Sequence, residues 1–237
     1  MRARHRHFNP KAAGATAAFD ARYGIAVADN TAVDTWTNRV GANNATQATS
    51  INRPTYKATG GNASSPALLF DGTKTRLVHA IPTIGAPSLF MAVATRTGGA
   101  SSDIVACFMP PYTSHYSQIY ALYGSGANWG LNPTDSGQSI LNAWRILSAK
   151  PASSATTNSS TTLWTDGANE TTSTGSRYAG EQHNRRAIGA NGDVAPVNVG
   201  FLQGSISQVI AIPGNVANSL KRRIEHSAAY SFKIACN

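Results

Sequence analysis

The stretch Phe201–Gly214 reads FLQGSISQVIAIPG, and its apolar residues refuse a single period. Ile206, Val209, Ile210 and Ile212 imply a strand with one buried face and a bulge, or an end buried on both faces. Working outward, similar runs recur between turn-forming clusters: SLFMAVATR (88–96), SDIVACFM (102–109), YSQIYALYG (116–124), SILNAWRILSAK (139–150), TTLWTDG (161–167) and RRAIGANG (185–192). ALLFDG (67–72) is a short apolar run stopped by Asp-Gly, a turn signal. Many short strands punctuated by turns point to a sandwich or barrel.

Composition agrees. Of 237 residues, 41% are hydrophobic, enough for a sizeable core, while only 13% are charged, well below the usual quarter. Ser, Thr, Asn and Gly fill the difference, and these residues favour turns and solvent-facing strand positions over helix interiors. The biased segment 151–178 reads as two strands with polar outer faces rather than a linker, because TTLWTDG sits in its middle. One helix is expected, in NVANSLKRRIEHSAAY (215–230). Leu220, Ile224 and Ala228 repeat at helical spacing, Asn215 or Asn218 can cap it, and Lys221, Arg222 and Glu225 fall on the opposite face.

Val33–Ala58 is polar, nearly uncharged and without helical period.

The net charge is +9 and clustered. Arg2, Arg4, Arg6 and Lys11 open the chain, and residues 1–17 read as a basic arm ahead of a single domain, 18–237. Such a balance suits an acidic partner. Nucleic acid is disfavoured, because the middle lacks interleaved basic and aromatic residues. No apolar run is long enough for a membrane span, and no apolar segment follows the basic start as in a signal peptide. Cys107 and Cys236 could pair, but the expectation is two buried free thiols.

Chemistry is sparse. The sequence has no nucleophile elbow, zincin motif, Cys-x-x-Cys or P-loop. It has three Glu, at 170, 181 and 225; Asp166 and Glu170 come nearest to a carboxylate pair, but they flank a turn and are expected to face solvent. His183 beside Arg185 and Arg186 reads as loop surface. No cofactor is expected; Asp71, Asn191 and Asp193 are conceivable calcium ligands, with ordinary turn capping preferred. Tyr112, Tyr116, Tyr120, Tyr123 and Trp129 form an aromatic-rich stretch suited to a protein interface or to stacking on sugars.

In their order, FDARYG (19–24), VDTWTNRVGANNATQATSINRPTY (33–56), PALLFDGTKTRL (66–77), TTLWTDGANE (161–170), RAIGANG (186–192), GFLQGSISQVIAIPG (200–214) and LKRRIEHSAAYSFKI (220–234) resemble the laminin-G-like, concanavalin-A-like domains of bacterial and bacteriophage proteins. The resemblance implies an all-β, two-sheet antiparallel jelly-roll sandwich with one short C-terminal helix. It also implies that Val33–Ala58 is an extended segment leading to the Phe-Asp-Gly strand, with Trp36 anchoring it to the core, Pro54 fixing its exit and Asn, Thr and Gln side chains satisfying loop backbone groups locally. One departure is the late strand, where the family often carries Glu and this chain has Ser207-Gln208. With the family's phage usage, the basic arm and the missing catalytic set, the expectation is a non-enzymatic virion component, a capsid decoration or tail or fibre subunit. Such a subunit would assemble in the host cytoplasm and act through contacts with itself or other virion proteins, in which Arg2, Arg4, Arg6 and Lys11 take part. The alternative is a carbohydrate-binding module or adhesin for surface polysaccharide, using the Tyr112–Trp129 stretch.

Overall fold

The structure, a computed structural model, describes residues 8–81, 88–98, 104–108, 118–120, 128–131, 134–151, 159–175, 186–190 and 200–236. In chain order the strands are β1 (Ala17–Asp20), β2 (Thr35–Trp36), β3 (Ala45–Thr46), β4 (Thr55–Lys57), β5 (Ala67–Asp71) and β6 (Leu77–His79). There follow β7 (Ser88–Arg96), β8 (Ile104–Cys107), β9 (Gln118–Tyr120), β10 (Asn128–Leu131) and β11 (Thr134–Ser139). The last are β12 (Arg145–Pro151), β13 (Ser159–Thr165), β14 (Ala168–Gly175), β15 (Ala187–Ile188) and β16 (Gln203–Pro213), before helix α1 (Asn218–Phe232). The strands form two antiparallel sheets, the expected all-β sandwich with one C-terminal helix. One sheet runs β14-β13-β12-β7-β16-β5-β4 with β1 also on β16, and the other runs β11-β10-β9-β8-β15-β6-β3-β2.

The first sheet is the middle layer. Its inward face gives Phe90, Ala92 and Ala94 of β7 and Val209 and Ala211 of β16 to the core between the sheets. Its outward face gives Leu89, Met91, Val93, Ile210 and Ile212 to a second cluster under α1, with Ile224, Ala228 and Phe232. A strand covered on both faces loses polar alternation, which explains the continuous apolar runs in both strands. The irregular spacing in β16 is a bulge: its register with β7 shifts between Ile206 and Gln208. The bulge separates two partners on one edge, since β5 pairs with Gln203–Ile206 and β1 with Gln208–Ala211.

The polar segment 33–58 behaves largely as the resemblance implies. Trp36 is fully buried, 5.5 Å from Phe19 between ring centroids. Asn38 Oδ1 accepts from Ala18 N–H at 3.0 Å, Asn38 Nδ2 donates to Thr16 carbonyl at 3.1 Å, and Gln47 Nε2 donates to Arg76 carbonyl at 3.3 Å. These side chains therefore serve backbone groups, though several of those groups lie far along the chain.

Helix α1 departs from its expected faces. Its N-cap is Ala217, with no side-chain cap, and the C-terminal carbonyls of Phe232 and Lys233 accept from Asn62 Nδ2 at 2.8 and 3.0 Å. Lys221 and Glu225 are buried, not solvated. Asp166 also faces inward. It opens the β13–β14 hairpin turn with Gly167, both at positive φ as a type I′ turn requires. Its carboxylate accepts from Ile146 N–H at 2.8 Å and Arg145 Nη1 at 2.7 Å.

Gly189 adopts φ +82, and a Cβ there would lie 2.2 Å from Phe70 Cδ1 and Cε1, inside the core. Gly189→Ala is expected to lower stability by about 1–3 kcal/mol through overpacking. Gly14→Ala, at φ +73 with nothing within 4 Å, carries only the backbone preference and serves as the control. Urea midpoints of the two variants make the comparison.

Candidate functional site

The turn after β1 builds a polar pocket. Tyr23 and Gly24 N–H both donate to the Asp20 carbonyl, at 3.1 and 3.0 Å, which turns the chain and sets Arg22 and Tyr23 beside the strand end. Asp20 itself is 1% exposed and points to the outer face, directly opposite Gln208 in the β1–β16 register. Arg39 comes from the next segment, held on the free edge of β1 by its N–H bond to the Ala18 carbonyl at 3.0 Å.

Four groups converge on the Asp20 carboxylate. Oδ1 accepts from Arg22 N–H at 3.0 Å and Arg22 Nε at 2.9 Å; Oδ2 accepts from Arg22 Nη2, Gln208 Nε2 at 3.0 Å and Arg39 Nη1 at 3.5 Å. Burial works against the charge on Arg22, but Asp20 outweighs it, and the guanidinium pKa is raised. Arg22 also lies 4.5 Å from the Phe232 ring centroid and 5.1 Å from that of Tyr23, and Arg39 lies 4.7 Å from Tyr23.

Above this carboxylate is a cavity of about 70 Å³, room for a few waters, between β16, α1 and the N-terminal segment. Gln208, Arg22, Arg39, Tyr23, Ser227 and Phe8 are among its lining residues. Tyr23 is 61% exposed and marks its open side with Arg39. Because a carboxylate only accepts, the Gln208 amide must turn its NH₂ to Asp20, leaving Oε1 the other way. That buried oxygen has no hydrogen-bond partner among the described residues. Among the described residues, two guanidinium charges therefore stand against one carboxylate at this pocket, with one unused acceptor buried in a lining side chain.

Of the residues singled out from the sequence, Lys11 sits in an exposed turn, its N–H donating to Asn9 Oδ1 at 3.1 Å. Arg2, Arg4, Arg6, Tyr112, Tyr116 and Tyr123 lie outside the described residues. Tyr120 and Trp129 fall in β9 and β10, with side chains outside the description. Residues 8–16, assigned to the arm, contribute Phe8, Ala13 and Ala15 to the cluster under α1, and Phe8 N–H donates to Ser227 Oγ at 3.3 Å. Cys236 is a free thiol, half-buried, with its pKa pushed up to about 11 by burial first and then by Glu225 and Asp166. Glu170 accepts from Trp164 Nε1 at 2.8 Å. Asn191 and Asp193 lie outside the described residues, and none of the described His, Cys, Asp and Glu form a group of three or more able to hold a metal. Among the described residues no helix is long and apolar enough to cross a membrane. Nothing in the sequence marks Asp20, Arg22 and Arg39 as a site: FDARYG is one motif of the resemblance, and Gln208 is a departure from the family's late strand.

Asp71 is a turn residue. Its Oδ1 accepts from the N–H groups of Thr73, Lys74 and Thr75 and from the Thr75 hydroxyl, at 2.9 to 3.1 Å. Burial alone would raise its pKa, but these donors together hold it well below the usual carboxylate range. The folded state therefore favours the charged form. Its stabilisation is fully present above the unfolded value of about 3.9, declines as pH falls below it, and is gone below the folded pKa. Asp71→Asn is expected to flatten this acid limb, which urea titrations between neutral and strongly acid pH would reveal.

No protein-family model matches the sequence, and no curated protein matches it. Solved structures do resemble it. An arabinofuranosidase complexed with arabinofuranosyl-alpha-1,2-xylobiose superposes with a TM-score of 0.61 at 13% identity, covering 94% of this chain and 65% of that one. A GH54 α-L-arabinofuranosidase soaked with a cyclic sulfate inhibitor gives 0.58 at 14% identity, with the same 94% and 65% coverage. Trypanosoma rangeli sialidase in complex with sialic acid gives 0.55 at 13% identity, covering 95% of this chain and 34% of that one. The chain thus spans about a third of the sialidase and under two thirds of the arabinofuranosidases. At these identities the likeness is one of fold. It nevertheless corrects two expectations from the sequence: these three similar structures are glycosidases, so the reading as a bacteriophage virion component is withdrawn, and so is the exclusion of enzymatic activity.

Proposed function

We propose that this chain recognises carbohydrate, as a binding or processing domain of a glycan-active protein. The observation that carries the reading is the pocket beside Asp20, where the unpartnered Gln208 Oε1 and two guanidinium groups surround a small polar cavity with an exposed tyrosine at its side. Sugars present dense hydroxyl donors and acceptors, and protein sites for them pair fixed polar groups with an aromatic ring. The fold's likeness to enzymes solved with sialic acid and with an arabinofuranosyl xylobiose supports the same direction. The Tyr112, Tyr116, Tyr120, Tyr123 and Trp129 stretch is proposed as a further sugar-stacking surface.

The test is a screen of the full chain against immobilised neutral and acidic oligosaccharides, run beside a panel of nitrophenyl glycosides. Retention on a defined glycan, or release of nitrophenol above a heat-denatured control, supports the proposal. Neither retention nor hydrolysis across both panels overturns it.

A further inference from the structure

We propose that the pocket beside Asp20 takes the carboxylate of an acidic sugar, a uronic acid residue, with Arg39 binding the carboxylate and Gln208 Oε1 accepting a neighbouring hydroxyl. This deepens the carbohydrate reading and rests on it.

Three features select that ligand. The first is charge. Arg22 and Arg39 both reach Asp20, so two positive charges meet one negative charge and an anion completes the balance. The second is donor supply. Arg22 spends Nε and Nη2 on Asp20, whereas Arg39 contacts it through Nη1 alone and at 3.5 Å. The Arg39 guanidinium lies 4.7 Å from the Tyr23 ring centroid, which holds its plane while leaving N–H donors for a two-pronged bond to a carboxylate. The third is the acceptor. Gln208 Oε1 is buried and without a partner among the described residues, and the side-chain orientation is fixed by the hydrogen bond that Nε2 donates to Asp20 Oδ2 at 3.0 Å. A fully ionised sulfate has no proton to give it and would set oxygen against oxygen. A neutral sugar satisfies the oxygen but leaves the excess positive charge. A hydroxy-carboxylate does both.

Size agrees. The cavity, about 70 Å³, admits a carboxylate end and not a whole ring, so the sugar ring lies outside it, beside exposed Tyr23. The chain's net charge of +9 favours the approach of an acidic polysaccharide.

The experiment is a titration of ¹⁵N-labelled protein at physiological salt with galacturonate, its methyl ester, galactose and inorganic sulfate, following the Arg39 Nε–H and Gln208 side-chain amide signals. Galacturonate is expected to move both, with its methyl ester and galactose weaker by about tenfold or more. Arg39→Met, a surface change whose unchanged melting point confirms the fold, is expected to weaken galacturonate by a similar factor, and Gln208→Leu to weaken it as well. Equal binding of ester and acid, or sulfate competing as well as galacturonate, overturns the proposal. So does galacturonate binding that ignores Arg39→Met. Binding of neutral glycans in the screen above without preference for acid overturns the acidic specificity and leaves the carbohydrate reading standing. Absence of any glycan binding removes both.

Discussion

Asp20→Ala is expected to destabilise the protein by about 3–5 kcal/mol, the cost of removing one partner from a buried ion pair. The size follows from what the alanine leaves behind. Arg22 would keep its charge between the Phe232 and Tyr23 rings with no counter-ion within reach of Nε or Nη2. Gln208 Nε2 and Arg22 N–H would lose their acceptor as well. Asp20→Asn keeps the shape and one acceptor oxygen, so its loss should be smaller. Urea unfolding at neutral pH checks the order, wild type above Asn above Ala. Equal stability of the alanine variant would show that the carboxylate does not organise the strand end. Because both arginines and Gln208 take their positions from Asp20, the alanine variant should also lose ligand binding while it remains folded at low temperature.

Glu225→Leu is expected to cost about as much, again about 3–5 kcal/mol. Lys221 Nζ donates to both carboxylate oxygens of Glu225 at 2.9 Å, and the two side chains are 4% and 1% exposed. Lys221 also sits 4.1 Å from the Trp164 ring centroid, so the single variant would strand an ammonium against an indole and the outer face of the sheet. Restoring the balance by removing both charges, as Lys221→Met with Glu225→Leu, should return stability to the wild-type level or above, since apolar packing commonly matches a buried pair. The double-mutant cycle reads the coupling directly. A double variant as unstable as the single one would mean that packing volume, not charge, holds this face of the helix.

The Lys221–Glu225 pair also shows where sequence reasoning stops. Charged residues four apart on a helix are the mark of a solvated face, and the wheel built on Leu220, Ile224 and Ala228 placed them there. The buried stripe instead contains Lys221, Ile224, Glu225, Ala228, Ala229 and Phe232. Neutralising each other lets the two charges turn inward, and hydropathy cannot register a neutral pair. Asp166 was misjudged for a related reason: its partners, Arg145 and Ile146 N–H, belong to β12 and not to its own turn. The helix begins at Asn218 behind Ala217, an N-cap residue with no side-chain hydrogen bond, so neither Asn215 nor Asn218 caps it.

By contrast, the bulged, two-faced character of β16 was legible, because burial on both faces writes itself into the order of apolar residues. Through the resemblance, so was the role of Trp36, which is fully buried. The pocket was not legible. Asp20 and Gln208 are 188 residues apart, and only the register of β1 on β16 brings them face to face. Gln208 seemed a loss, the absence of a carboxylate expected from the resemblance. In place it is what an acidic neighbour requires: a glutamate opposite Asp20 would set two like charges on one cross-strand pair.

The position of β16 has a consequence for how the chain acquires this shape. It lies between β7 and β5 and also carries β1, yet it follows all three in the sequence. During synthesis, therefore, the hydrogen-bonding edges of β1, β5 and β7 await a strand that emerges last. Until then they are open to pairing with other chains. Contacts this distant in sequence also make for slow folding, since the loops must close before the central strand rewards them. The nascent protein is at its most aggregation-prone just before residue 203 leaves the ribosome, and the docking of eleven residues ends that exposure at a stroke.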